Sequence, residues 1–309
     1  MSWTRLRRAL VWSKVSTTLN GELDIPEPPS AALTTQVAAD LTHKFVFICG
    51  LHRSGTSPLF RILRDHPEIS GFRETNVFED EGQHLQTVMP TAREYGGFGR
   101  FGWCPEAHLT ENSQLITREN RERLFEEWSK HWDLAKSCLL EKSPPNLIRG
   151  RFLQAMFPNS YFIVITRHPI AVSLATWKWA RISLEGLFQH WLHCHRLSEM
   201  DRGFLQRVLV VKYEELINNT QTTVDLIYRF LSVCPQPCPS LNRDGNARYF
   251  AIWRELSQMR LAVLKNHLVA KYETDFRHYG YSLVDLDATV TQDSMPSQIL
   301  GLHESAFRL

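Results

Sequence analysis

The stretch KFVFICGLHRSGTSPLFRILRDH, residues 44–66, joins an apolar run, a glycine-bounded turn and a helical pattern end to end. No other feature of the chain constrains its fold as tightly. A short apolar run with no polar alternation reads as a strand buried on both faces. Gly50 and Gly55 permit a tight turn after it. Leu59, Ile62 and Leu63 then share one helical face, Pro58 is tolerated in the first turn, and His66-Pro67 ends the helix. The unit recurs. SCLLEK (137–142), YFIVIT (161–166) and VLVVKY (208–213) read as further strands. Helical patterns follow at 119–135, 169–180, 183–197, 214–231 and 246–269, and at 143–157, where Ser143 is expected to cap a proline-led helix. Strand, loop and helix in repetition predict an α/β fold of three layers, a central parallel sheet with helices on both faces. In such folds ligands bind at the carboxyl ends of the strands. The loops that matter are therefore 50–57, 142–146, 167–176 and the stretch after 212.

The chain of 309 residues is 43% hydrophobic, enough for one sizeable core. One domain is expected over 44–285. A basic, mildly amphipathic helix and a linker precede it at 1–43, and a polar tail follows at 286–309, loose from Ser282 onward. With 35 Lys+Arg against 33 Asp+Glu the charge is near neutral, so nothing global points to nucleic acid or a membrane surface. No apolar run reaches a membrane span, and the expected compartment is the cytoplasm. Cys234 and Cys238 have no second pair at ligand spacing, which argues for a surface loop and against zinc. His190, His193 and His195 lie in an apolar helical pattern, HWLHCH, and read as part of a helix that packs on the core.

GLHRSGTS, residues 50–57, has the spacing of the Walker A pattern G-x-x-x-x-G-K-[ST], but Thr56 stands in place of the lysine. The strands ending in Arg167-His168-Pro169 and Lys212-Tyr213-Glu214 supply no aspartate for magnesium. Transfer of a γ-phosphoryl group thus loses two of its parts. A glycine turn leading into a helix N-terminus still offers backbone N–H groups to an anion. Arg53 in the loop and Arg167 at the end of another strand add two cationic forks, which suit a nucleotide with two separated phosphates.

Taken together, these residues resemble the PAPS-dependent sulfotransferases. RSGTS resembles the RSGTT form of the 5′-phosphosulfate loop seen in tyrosylprotein sulfotransferases and many bacterial relatives. YFIVITRHP resembles the strand and arginine of the 3′-phosphate site. EKSPPN, VVKYEEL and HYGYSL resemble later family segments in the same order, so the resemblance runs from about Lys44 to Leu283. EDEGQHLQ is similar to a segment of the soluble bacterial branch. The resemblance implies a P-loop NTPase-like sulfotransferase fold, PAPS as cosubstrate, PAP as product and no metal. It implies that Arg53, Ser54, Gly55, Thr56 and Ser57 hold the 5′-phosphosulfate, that Arg167 binds the 3′-phosphate, and that Lys142 stabilises charge on the departing phosphate. The family's helix serine falls on Ala175 here, which leaves Ser173 and Thr176 beside it as the candidate hydroxyls. HPEISGFRETN aligns without a gap to HPDVRCGEETR, which places the acceptor's base at Glu74. Asn76 replaces the arginine that follows in that segment, and the cysteine is absent, a departure from the peptide-recognising pattern. Glu81 and His84 are rival bases, with Glu79 and Asp80 beside them. A nucleotide kinase or NTPase, and a non-catalytic PAP-binding relative, are the alternatives. The expected acceptor is a small molecule. The acidic run at 79–81 would favour a cationic one, and the glycine–aromatic stretch YGGFGRFGWCP (95–105), read as a mobile lid, an aromatic one.

Overall fold

A computed structural model describes residues 43–241, 245–257 and 262–287. Five strands, β1 (Lys44–Cys49), β2 (Ile69–Gly71), β3 (Cys138–Lys142), β4 (Ser160–Thr166) and β5 (Val208–Lys212), form one all-parallel sheet in the order β2-β3-β1-β4-β5. Every residue of β3 is buried, as is every residue of β1 after Lys44. Because successive side chains point to opposite faces, such strands must be covered on both sides. The helices supply the cover: α1 (Thr56–Arg64), α2 (Arg118–Ser129), α3 (Gly150–Met156), α4 (Pro169–Ala180), α5 (Leu184–Arg202), α6 (Tyr213–Asn218), α7 (Thr220–Leu231), α8 (Ala247–Glu255) and α9 (Ala262–His278).

The register levels the strand ends. Ile48 lies opposite both Lys142 and Ile163, and Thr166 lies opposite Lys212. All four loops singled out above therefore open on one edge. The chain leaves β1 toward β2 on one side and leaves β4 toward β5 on the other, so a crevice opens between β1 and β4. Aromatic packing covers the sheet. Phe45 stacks on Phe157 at 4.4 Å at the amino end of β1, and Trp132 stacks on Phe72 at 5.1 Å beside β2 while its Nε1–H donates to the Leu140 carbonyl. Each such side chain contributes about 3 kcal/mol by burial.

Several expectations shift. β2 was not anticipated; with three residues it has no readable alternation, and only its pairing with β3 makes it a strand. Ser143 does not cap a helix. Residues Pro144–Ile148 form a 3-10 turn, and α3 starts only at Gly150. Proline at 145 removes an N–H that a cap would bond, and the Ser143 hydroxyl turns instead to the Glu141 carboxylate and the Gln83 N–H. The segment 214–231 breaks at Asn219 into α6 and α7. The long helix expected at 246–269 is described as α8 and α9, with 258–261 outside the described residues. The glycine–aromatic stretch is packed: Phe101 is fully buried, and the Gly102 N–H donates to His190 Nε2. The chain past Ser282 is not loose at first, since Ser282, Leu283 and Leu286 are buried. The expected N-terminal helix and nearly all the linker, together with the tail from 288, lie outside the described residues. Among the described residues no helix is long and apolar enough to cross a membrane.

Candidate active site

The loop between β1 and α1 is shaped by close contacts. A Cβ on Gly50 would lie 2.7 Å from the Ile165 carbonyl oxygen, and one on Gly55 would lie 2.3 Å from the Tyr213 ring. Gly55 also has φ +103°, a conformation that side chains rarely adopt. The Ser54 hydroxyl donates to the Leu51 carbonyl at 2.6 Å and closes the turn. Gly55 is the N-cap of α1 and provides no side chain to cap it. Among the described residues no acceptor takes the N–H of Gly55, Thr56 or Ser57. These donors stand at the positive end of a helix of nine residues. Arg53, at φ +69°, presents an exposed guanidinium with no partner among the described residues. Such an arrangement of donors and cation is able to receive an anion.

Lys142, at the end of β3, is fully buried. Its Nζ donates to the Glu79 carbonyl at 3.0 Å, to Glu81 Oε1 at 3.2 Å and to the Ser57 hydroxyl at 3.4 Å. The sequence candidates Ser57, Lys142 and Glu81 thus meet, and His84 Nε2 stands 3.8 Å from the second oxygen of Glu81. Glu74 shares no described contact with them: it is exposed, at φ +52°, with no hydrogen bond or ion pair to a described residue. Each carboxylate of the acidic run has a cationic partner. Glu79 pairs with Arg61 at 3.5 Å, Asp80 with Arg64 at 3.0 Å, and Glu81 with Lys142. Behind them Glu141 accepts from the Gly82 N–H, the Ser143 hydroxyl and the Asn146 amide. Burial pushes its carboxyl up to about 7, against the downward pull of the Ser143 and Asn146 hydrogen bonds and of Lys142.

Arg167, at the end of β4, crosses the crevice. Its Nη1 donates to the Arg53 carbonyl at 2.7 Å, its Nε to Asn246 Oδ1 at 2.8 Å, and its Nη2 to the Gly245 carbonyl. The guanidinium stacks on Tyr213 at 4.2 Å, and burial lowers its pKa. Ser173 and Thr176 have no hydrogen bond to it. Both residues line a cavity of about 10 Å³ with His52, Gly99 and His190, and neither hydroxyl has a partner among the described residues. That volume holds one water and no phosphate. His52 was not singled out from the sequence, although it stands inside the loop pattern itself. Its ring packs on Phe98 at 4.2 Å and its Nδ1 is unpartnered. Burial, reinforced by His190, Lys142, His84 and Arg53, lowers its pKa to about 3, so it is neutral at physiological pH. His190 and His195 are buried in α5 and engaged in packing, as the helical pattern suggested; His195 stacks on Trp191 at 3.6 Å.

The sulfotransferase family model matches residues 46–234, well over half of the chain. The chain belongs to the sulfotransferase family. Protein-tyrosine sulfotransferase 2 of Gallus gallus is 25% identical over 202 residues, 61% of this chain and 51% of that relative. The chain therefore spans about half the length of this curated relative. Among solved structures, the sulfotransferase domain of the curacin biosynthetic pathway is 18% identical and covers 63% of this chain and 76% of its own, with a TM-score of 0.42. A sulfotransferase from Mycobacterium tuberculosis H37Rv is 15% identical over 77% of this chain and 81% of its own, with a TM-score of 0.43. Retinol dehydratase, solved with androsterone and the inactive cofactor PAP, is 12% identical over 73% and 70%, with a TM-score of 0.32. Scores of this size add no weight to the family match.

Proposed function

We propose that this sulfotransferase moves a sulfuryl group from PAPS to a hydroxyl or amine of a small acceptor by in-line displacement. The observation that carries the reading is the set of unengaged N–H groups on Gly55, Thr56 and Ser57, with the free Arg53 fork beside them and Lys142 on Ser57. These residues fit a phosphosulfate: convergent backbone donors, a planar cation and a point charge. PAPS would supply the activated sulfuryl group. Gly55, Thr56 and Ser57 would hold its 5′ end through backbone N–H groups, with the Thr56 and Ser57 hydroxyls beside them, while Ser54 shapes the turn. Lys142 would stabilise negative charge on the bridging oxygen as the bond breaks. Arg167 would meet the 3′-phosphate: a guanidinium has five N–H donors, and two remain after its three protein bonds. Ser173 and Thr176 remain its candidate hydroxyls, which requires their cavity to widen.

A base must take the acceptor's proton. This reading favours Glu81, because it alone of the three candidates touches Lys142. His84 beside it can relay, and Glu74, which the alignment implies, is the alternative. The acceptor is aromatic in this reading. Its support is the exposed rim of Phe78 and Trp179, 59% and 58% exposed, which flank Phe98 above His52 at ring separations of 6.3 Å. The argument for a cationic acceptor weakens, since each carboxylate of the acidic run has a cation of its own.

Thermal shift tests the donor. PAP should raise the melting temperature by mass action, Arg53→Ala should abolish the rise, and magnesium-ATP should do little. Stabilisation by magnesium-ATP and none by PAP would refute the reading. Comparing turnover of Glu81→Gln, Glu74→Gln and His84→Asn assigns the base.

A further inference from the structure

The segments VVKYEEL and HYGYSL have no role in the chemistry above, yet Tyr213 of the first stacks on Arg167 and Tyr281 of the second bonds Glu214. We propose that Glu214 is a positioning residue for the donor's 3′-phosphate, acting through Asn246 on Arg167. The inference rests on the reading that Arg167 meets that phosphate.

Glu214 follows β5 and is buried. Its Oε1 accepts from the His168 N–H at 3.0 Å and from Asn246 Nδ2 at 2.7 Å, and its Oε2 accepts from the Tyr281 hydroxyl at 3.3 Å. A carboxylate is an acceptor only, so it dictates which way the Asn246 amide faces. With Nδ2 toward Glu214, the amide oxygen must face Arg167, and it accepts from Nε at 2.8 Å. The opposite orientation would set an amide N–H against a guanidinium N–H. Fixing Nε fixes the plane of the fork, and the same plane carries Nη1 to the Arg53 carbonyl. The side chain is held by four partners at once: the Asn246 amide, the Arg53 and Gly245 carbonyls and the Tyr213 face. The two N–H groups that remain are thereby aimed. The Tyr281 hydroxyl also contacts Thr166 Oγ1 at 2.9 Å, and His168 Nε2 contacts the Ser282 carbonyl at 3.1 Å. The chain segment at 278–283 is thus a brace on the end of β4. It keeps Glu214 in place and leaves the nucleotide to Arg167.

An alanine at 214 removes the acceptor that Asn246 Nδ2 faces. The amide of Asn246 loses its fixed direction, and Arg167 loses one of the three bonds that set its plane. The consequence is specific: contacts to a 3′-phosphate weaken, while the 5′ cradle at Gly55–Ser57 is untouched.

The experiment is calorimetric binding of PAP and of AMP, which lacks the 3′-phosphate, to wild type, Glu214→Ala, Asn246→Ala and Arg167→Ala. Trp132→Phe, a core change at Phe45 and the amino end of β1, reports a general loss of stability. The ratio of PAP to AMP affinity should fall at least tenfold in Glu214→Ala, Asn246→Ala and Arg167→Ala, with AMP binding within about threefold of wild type. Trp132→Phe should leave the ratio unchanged. If Arg167→Ala loses the ratio but Glu214→Ala and Asn246→Ala keep it, or weaken both ligands equally, the positioning role is refuted and the donor reading stands. If wild type itself does not prefer PAP to AMP, the 3′-phosphate reading fails and this inference with it. Should Glu214→Ala not fold, Asn246→Ala alone decides.

Discussion

Lys142→Met separates what this lysine does for the fold from what it does for the reaction. In the native chain Lys142 and Glu81 form an ion pair whose side chains are 0% and 4% exposed. Methionine keeps the bulk of the stem but leaves the Glu81 carboxylate buried with no cation. Breaking one side of a buried pair typically costs about 3–5 kcal/mol. Glu81 keeps its Gln83 hydrogen bond and the nearby His84 ring, so the lower end, about 3 kcal/mol, is expected. Removing the second charge as well, in Lys142→Met/Glu81→Gln, takes away the unpaired ion. The double variant should recover at least about 2 kcal/mol relative to the sum of the single changes. Urea unfolding at constant pH measures each arm of the cycle. Turnover moves differently. If Lys142 carries the leaving-group charge, Lys142→Met stays inactive where it is still folded, whereas inactivity of the double variant would also follow from the loss of Glu81, the favoured base. A coupling energy below about 0.5 kcal/mol would refute the buried pair. Recovery of turnover in the double variant would refute the catalytic role.

Three further outcomes follow from the geometry. Gly55→Ala combines a positive φ with a Cβ placed 2.3 Å from the Tyr213 ring, and should lose about 2–4 kcal/mol in urea unfolding; a loss below about 0.5 kcal/mol would contradict the loop conformation. Burial raises the Glu141 carboxyl to about 7, so the folded chain binds its proton more tightly than the unfolded chain does. That contribution is fully present below the unfolded value of about 4.3 and is lost as pH rises through about 7, at most about 4 kcal/mol; Glu141→Gln should flatten the slope of stability between pH 5 and 7, and an unchanged slope would reject the assignment. Ser173→Ala and Thr176→Val remove hydroxyls that have no partner, so stability should change by less than about 0.5 kcal/mol or rise. A tenfold loss of PAP affinity in either variant, measured by calorimetry, would instead make that hydroxyl a phosphate ligand.

Local physics made much of this protein readable from its sequence. Four of the five strands are apolar runs long enough to carry a pattern, and the strand–glycine–helix order at 44–64 needs only local propensities to specify an anion cradle. Lys142 belongs to the same class, because the end of a parallel strand is a place the repeating rhythm already assigns. What the sequence left open depends on contacts between distant residues. β2 has three residues and becomes a strand only against β3. The acidic run could be a solvated face or a neutralised one, because its partners lie 18, 16 and 61 residues away in the chain. Ser173 and Thr176 sit on the expected helix, but their direction is set by how that helix docks on His52 and His190. Arg167 could be placed at a strand end. Its orientation comes from an asparagine 79 residues later, held in turn by a glutamate 32 residues before that asparagine. Spacing along the chain encodes the elements and the cradle, since both are short-range. Which charges meet, and which way they face, is a property of packing, and only the tertiary structure decides it.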